Sequence, residues 1–312
     1  PKSDEIIKPF LMGRDMDRYY PPQSNNYVIF ARRGIQIDNY PAIKQYLLKY
    51  KAQLMPKPKE WSGPGKWSGR KTGIYQWYEL QDTIDYYAEF EKPKILWPII
   101  SIRAKFTWDT NLMYTNDKTF FIPTDDLFIL GLLNSKLSWF YLKHICSVLG
   151  DPDKRGRLEL RSIYMQNFPI LQIDRSNPIS ISRHGQMISL VEQMLDLNKQ
   201  KQSETQNFLR WLEGEIGVKV QDLSGTSKLL EYYGMDFSGF HDLLAKNKRK
   251  LKAGYNPRSR VNKELLEEEF NRSADKIRQI NSIIDETDMQ IDALVYELYG
   301  LTEEEIKIVE SM

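Results

Sequence analysis

Apolar and polar positions follow two different rhythms along the chain, and the rhythm changes near residue 175. Before that point, short β-favouring runs alternate with turn signals. Tyr27-Val28-Ile29-Phe30 reads as a strand, and Asp38-Asn39-Tyr40-Pro41 supplies a turn and a helix start. Ile43, Leu47 and Tyr50 then recur at helical spacing. From Pro56 to Gly73, prolines, glycines and serines erase any apolar period, which predicts a loop of roughly 18 residues, longer than structureless connections usually run. Ile95 to Ile102 reads as a strand with an edge or bulge at Pro98, whose missing N–H cannot serve a ladder. Asp117 to Ile122 reads as another strand, and Leu127 to Ile145 as a strongly apolar helix at the centre of the core.

From Pro178 the pattern turns helical. Ile188, Val191, Leu195 and Asn198 alternate at spacings of three and four, as do Ile277, Ile280, Ile284, Thr287, Ile291, Leu294 and Leu298. Two such stripes in one chain predict an antiparallel pair of long helices. Between them Phe208, Trp211, Leu212, Leu229, Leu230, Tyr232, Phe240 and Leu243 predict a small helical insert over 203–262. Gly300 ends the second long helix, and Thr302 followed by Glu303-Glu304-Glu305 starts another with a capping box. The expected fold class is α+β, with a mixed α/β domain over 1–175 followed by a helical domain over 176–312.

Composition keeps this picture within the ordinary globular class, with 41% apolar and 28% charged residues. No run approaches the roughly 18 apolar residues of a membrane span, and Pro1-Lys2-Ser3-Asp4-Glu5 has no signal-peptide core, so a cytoplasmic location is expected. Cys146 is the only cysteine, which excludes an internal disulfide and a thiolate-rich zinc site. The chain opens without a starting Met and reads as a piece of something longer. Charge changes the picture more. Residues 1–173 hold 25 Lys/Arg against 18 Asp/Glu, a net of +7, whereas 174–312 hold 19 against 24, a net of −5. Between Lys44 and Lys71, eight basic residues face a single acid, Glu60, an excess suited to a polyanion.

Catalytic patterns are scarce. Adenine-N6 methyl transfer needs a glycine-rich turn for the cofactor and an Asn/Asp-Pro-Pro-Tyr/Phe loop around the flipped base. Asn256-Pro257-Arg258 lacks the second proline and the aromatic wall. A phosphate-binding loop with Gly-Lys-Ser/Thr is missing. Glu89-Phe90-Glu91-Lys92 and Asp151-Pro152-Asp153-Lys154 come closest to a nuclease metal motif but read as solvated loops. His144, His184 and His241 are scattered, and Cys146 reads as a core residue. No catalytic residue, metal ligand or resident cofactor is expected in this chain.

Binding chemistry is more evident. The Pro56 to Trp77 stretch interleaves Lys57, Lys59, Lys66, Arg70 and Lys71 with Trp61, Trp67, Tyr75 and Trp77, so cations can neutralise phosphates while rings approach sugars and bases. Arg70 is expected to grip a guanine edge with two N–H groups, and Lys57 and Lys59 to contact phosphates. A second cluster, Lys154-Arg155-Gly156-Arg157 with Arg161, follows a Gly-Asp-Pro turn, and a third spans Lys246 to Lys252 with Arg258 and Arg260. The expected DNA-contacting residues are Lys57, Lys59, Trp61, Lys66, Trp67, Arg70, Lys71, Lys154, Arg155 and Arg157.

Several stretches carry a family resemblance: Gly34-Ile35 with Tyr40-Pro41-Ala42-Ile43-Lys44, Trp77-Tyr78-Glu79-Leu80, Phe90-Glu91-Lys92-Pro93-Lys94-Ile95, Leu130 to Leu137, and Phe168-Pro169-Ile170. Together they resemble the TaqI-like C-terminal specificity domain of adenine-N6 DNA methyltransferases, type IIG restriction-modification enzymes and phage-defence relatives. Phe208 to Glu213 and Ile291 to Ile306 resemble the helical C-termini of the same proteins. The resemblance implies a target recognition domain that binds double-stranded DNA opposite a methyltransferase domain of the same parent chain. S-adenosylmethionine, and Mg if an endonuclease is fused, would then belong to that parent. Two alternatives stay open from the residues: a type I-like specificity subunit that recruits separate modification chains, and a protein-interaction scaffold without DNA contact.

Overall fold

In the computed structural model, which describes residues 2–20, 24–151 and 156–311, the chain is α+β, with short strands in its first half and long helices in its second. It forms two compact units, Pro1–Asp125 with Ile145–Asn167, and Asp126–His144 with Phe168–Met312.

The first unit is built on three small three-stranded sheets. In one, β1 (Ile7–Leu11) lies between β2 (Tyr27–Ile29), antiparallel, and β6 (Tyr114–Thr115), parallel. In the second, β3 (Lys94–Pro98) lies between β5 (Thr107–Asp109) and β7 (Thr119–Pro123), both antiparallel. In the third, β9 (Arg157–Glu159) pairs with β4 (Ile100–Ser101) and β8 (Ser147–Leu149). The single strand expected over 95–102 is thus two strands in different sheets. The chain changes partner at Ile99, whose N–H donates to the Lys118 carbonyl while its own carbonyl accepts from Leu160 N–H. Every residue of β3 is buried, which explains the unbroken apolar run from Ile95 to Pro98.

One buried residue of β3 is a cation. Lys94 Nζ lies 2.6 Å from Asp109 Oδ2 with both side chains wholly inaccessible to solvent. Lys94 also donates to the Phe90 carbonyl at 2.7 Å, and the Asp109 carboxylate accepts the Asn111 and Met113 amides at 2.8 and 2.9 Å. Burial pushes the ammonium pKa below its ordinary value while Asp109 pulls it back. Around this sheet Phe90, Tyr114 and Phe121 pack face and edge, with ring centroids 4.8 Å apart for Phe90 against each of the others. Between the sheets in sequence lie α1 (Pro41–Leu48), which buries Ile43 and Leu47 as its period predicts while Tyr50 falls past its end and is exposed, and the single turn α2 (Lys51–Leu54); another single turn, α5 (Ser162–Met165), follows β9.

In the second unit the expected apolar helix over 127–145 is two helices, α3 (Leu127–Asn134) and α4 (Lys136–Ile145). Ser135 breaks the path in an extended conformation, and its hydroxyl accepts the Ser138 amide at 3.2 Å and donates to the Leu132 carbonyl at 2.7 Å. Counted from the sequence with residues 1–175, α3 instead packs on the long helix α6 (Pro178–Ile216). A helix this apolar must be covered on more than one side, and long helices offer that cover. The unit continues through α7 (Thr226–Leu230) and α8 (Phe237–Lys246) to α9 (Arg260–Tyr299) and α10 (Glu303–Glu310).

Helices α6 and α9, of 39 and 40 residues, run antiparallel: Arg183 meets Glu297 near one end and Glu204 meets Ser273 and Lys276 farther along. The α9 stripe is as expected, with Ile277, Ile280, Thr287, Ile291 and Leu294 buried. The α6 stripe keeps Val191 as expected and otherwise sits one residue earlier, on Met187, Leu190, Met194 and Leu197, with flexible methionines filling this face. Both long helices also invade the expected insert, which shrinks to residues 217–259 and packs across the pair through Phe208, Tyr232, Phe240 and Phe270. Gly300 caps α9 at φ 67°, and the capping box of α10 is present, with Thr302 and Glu305 bonded reciprocally.

Glu204 links this unit's layers, accepting Lys276 Nζ and Ser273 Oγ at 2.7 Å each, while Ser273 also meets the Tyr232 hydroxyl at 2.6 Å. Burial pushes the Glu204 carboxyl up, but the hydrogen bonds from Lys276 and Ser273 outweigh it and hold the pKa below the ordinary 4.5. A lowered folded-state pKa means stability that is complete above pH 4.5 and lost as pH falls through the folded value. Glu204→Gln is therefore expected to cost about 1–2 kcal/mol at pH 7. Urea midpoints of variant and wild type should converge as the pH falls from 4.5 through the folded value; a gap that stays constant over that fall contradicts this role.

Candidate nucleic-acid interface

The lysine- and tryptophan-rich loop closes on itself. Pro56 and Arg70 form an isolated bridge, with Lys57 N–H donating to the Arg70 carbonyl at 3.0 Å and Arg70 N–H to the Met55 carbonyl at 2.9 Å. The neck is so tight that a Cβ on Gly69 would come within 2.2 Å of the Met55 carbonyl oxygen, so only glycine fits there. The thirteen residues between Pro56 and Arg70 leave and return through one point, the form of an Ω-loop.

Arg70 holds that neck. Its Nε donates to the Leu54 carbonyl at 2.7 Å, Nη1 to Glu79 at 2.7 Å, and Nη2 to Trp77 at 2.8 Å and Gln76 at 3.3 Å, with Tyr75 beneath the guanidinium at 4.5 Å. Four of its five N–H groups face backbone carbonyls, leaving one where a guanine edge takes two. The expected base-reading fork of Arg70 is thus turned inward. Burial draws its pKa below the ordinary value, and Tyr75 and Glu79 act in the opposite direction. Glu79 completes the clamp, with its buried carboxylate accepting the Gly34 and Gln76 amides at 2.7 Å each. Sequence reasoning passed over Glu79; its signal was an acid inside an aromatic run, Trp77-Tyr78-Glu79-Leu80.

Within the loop Trp61 and Trp67 meet edge to face at 5.7 Å, Lys57 Nζ stands 4.9 Å over the Trp61 ring, and Trp67 Nε1 donates to the Met55 carbonyl at 3.2 Å. Both tryptophans are half-buried, so part of each ring stays open to solvent. Lys59, Lys66 and Lys71 are exposed, and their ammonium groups have no partner among the described residues. The structure therefore brings Lys57, Lys59, Trp61, Lys66 and Trp67 into one closed loop fastened by Arg70, with Lys59 and Lys66 exposed on the loop and Lys71 exposed just beyond its neck. Arg157 opens β9 and is exposed, lining a separate cleft that contains none of these residues. Lys154 and Arg155 lie outside the described residues.

Elsewhere, charged motifs are engaged in local pairs. Glu91 accepts from Lys8 at 2.8 Å and from the Tyr114 hydroxyl at 3.1 Å, and Glu89 pairs with Lys92 at 2.7 Å. In the third basic cluster Lys250 donates to the Asp222 carbonyl at 2.8 Å. His144 contacts the Phe140 carbonyl, His184 faces Asp126 at 3.4 Å, and His241 contacts the Pro257 carbonyl. Among the described residues no group of three or more His, Cys, Asp or Glu could hold a metal ion. Cys146 is buried, and burial pushes its thiol up to about 11. No helix among the described residues is long and apolar enough to cross a membrane.

Two family models match the chain. The TaqI-like C-terminal specificity domain covers residues 8–170, and a Domain of unknown function (DUF8810) covers residues 180–295. No curated protein matches. The first match takes in all three sheets, the clamped loop and the buried Lys94–Asp109 pair. With that span and that fold, the chain belongs to the TaqI-like C-terminal specificity domain family, a family of sequence-specific DNA recognition in restriction and modification.

Proposed function

We propose that this chain selects the target sequence for an adenine-N6 DNA methyltransferase of a restriction-modification or phage-defence system, with type IIG enzymes as the nearest kind. The observation that carries this reading is the loop closed by Arg70, which holds the exposed Lys59 and Lys66 and a half-buried tryptophan pair, with the exposed Lys71 next to its neck. The cations neutralise phosphates, and a loop already held in shape loses little entropy on docking. The open parts of Trp61 and Trp67 approach sugars and base edges. Methyl transfer, S-adenosylmethionine and any Mg-dependent cleavage belong to a catalytic domain joined to this chain in its parent.

The experiment is a salt titration of binding to duplex DNA. The chain should bind duplexes more weakly as salt rises. Lys59→Gln, Lys66→Gln and Lys71→Gln should each lower the slope of log affinity against log salt by about one unit. DNA binding that ignores salt, or slopes unchanged in all three variants, contradicts the reading. Adenine methylation by this chain without a joined catalytic domain contradicts its second part.

A further inference from the structure

A second cation-lined surface lies where the chain changes sheets. Pro98 ends β3 opposite Thr119, Ile99 bonds to both neighbouring sheets, and Ile100 begins β4 opposite Glu159. The strands part there and leave a cleft of about 520 Å³. The turn Gly13–Asp15 forms one wall, and it reaches the strand because position 13 has no side chain: a Cβ there would lie 3.1 Å from Pro98 Cβ and 3.4 Å from the Lys118 carbonyl oxygen. Arg14, Lys105, Lys118 and Arg157 line the cleft from four separate segments, and no carboxylate among the described residues lines it. Ile100 and Ile102, 41% and 61% exposed, give it an apolar floor.

We infer that this cleft seats a second stretch of the DNA backbone, with phosphates on Arg14, Lys118 and Arg157 and deoxyribose faces on Ile100 and Ile102. The inference rests on the DNA-recognition reading above and adds a contact surface to it. Charge decides the occupant. Four cations with no acid among the described lining residues repel basic ligands, and exposed isoleucines between cations suit a ligand whose anionic groups alternate with apolar faces, as in a nucleic-acid backbone. The cations are available. Arg157 has no partner among the described residues, and Lys118 meets Asp117 at 3.0 Å with both side chains over 70% exposed, a pair that a phosphate displaces readily. Arg14 is 77% exposed and 3.7 Å from Asp15. Lys105 gives one proton to the Met16 carbonyl at 3.1 Å and keeps two.

The test compares wild type, the double variant Lys118→Gln with Arg157→Gln, and Ile102→Glu, all at exposed positions, by fluorescence anisotropy on labelled duplex across a salt series. Val261→Glu, at a 73% exposed position in the other unit, controls for added negative charge. The double variant should lower the salt slope by about two units and weaken binding to every sequence about equally. Ile102→Glu should weaken binding on the order of tenfold while Val261→Glu leaves it unchanged. If wild type binds with a steep salt slope and both cleft variants match it, the cleft inference is overturned and the recognition reading survives. If wild type shows no salt-dependent binding, the recognition reading fails first. Inorganic phosphate gives a third arm: binding lost in the double variant while the DNA slope stays intact would show a small-anion site and overturn the inference.

Discussion

Asp109→Ala is expected to destabilise the first unit by about 3–5 kcal/mol, because it leaves the Lys94 ammonium in a wholly inaccessible site without its counter-charge. The same change orphans the Asn111 and Met113 amides that the carboxylate accepts. Domains of this size hold only about 5–15 kcal/mol in all, so the loss approaches the whole reserve. Urea denaturation followed by tryptophan fluorescence reads it directly. The double replacement Lys94→Met with Asp109→Asn removes the stranded charge and keeps an acceptor for one of the two amides, so it should recover part of the loss. A midpoint for Asp109→Ala equal to that of wild type would show that Lys94 does not depend on the pair.

Arg70→Ala is expected to weaken binding to all DNA sequences together and to open the loop to proteolysis, leaving sequence preference unchanged. Four carbonyls lose a charged donor, and such bonds are worth about 1.5–3 kcal/mol each when the partner is ionised, though they share one anchor and do not add. Arg70→Lys should rescue little, since a single ammonium cannot reach acceptors spread around a planar fork. The measurements are binding to cognate and scrambled duplexes and the rate of proteolytic nicking between residues 57 and 69. A shift in preference at one base pair with nicking unchanged would return Arg70 to base reading. The sequence points to that role because arginine in a basic loop is the usual guanine ligand. What turns the side chain inward is a set of backbone carbonyls, and these carry no residue code.

The same distinction separates what the sequence discloses from what it hides elsewhere in the chain. The α9 stripe, its Gly300 cap and the Thr302–Glu305 box are local patterns, readable from spacing alone. The break at Ser135 is local as well, yet the apolar run across it masks the cap. On α6 the expected period holds and Val191 keeps its place, but Met187 and Met194 are buried where the spacing points to the half-buried Ile188 and Leu195. The partner change at Ile99 depends on Lys118 and Leu160, distant in sequence, so Pro98 marked the disturbance without revealing its form. The cleft draws cations from positions 14, 105, 118 and 157, of which only Arg157 belongs to a cluster visible along the chain. The loop was legible as a unit because its lysines and tryptophans are contiguous; the buried Glu79 that supports it was not.

The single neck of the loop has one more consequence. Among the described residues, the hydrogen bonds and ring contacts of residues 57–69 stay within 55–70, and Arg70 fastens the neck through atoms every residue possesses. Segments between Pro58 and Ser68 can therefore be exchanged for others of different length or composition as a cassette, with the Met55–Gly69 crossing and the Arg70 fastening left in place.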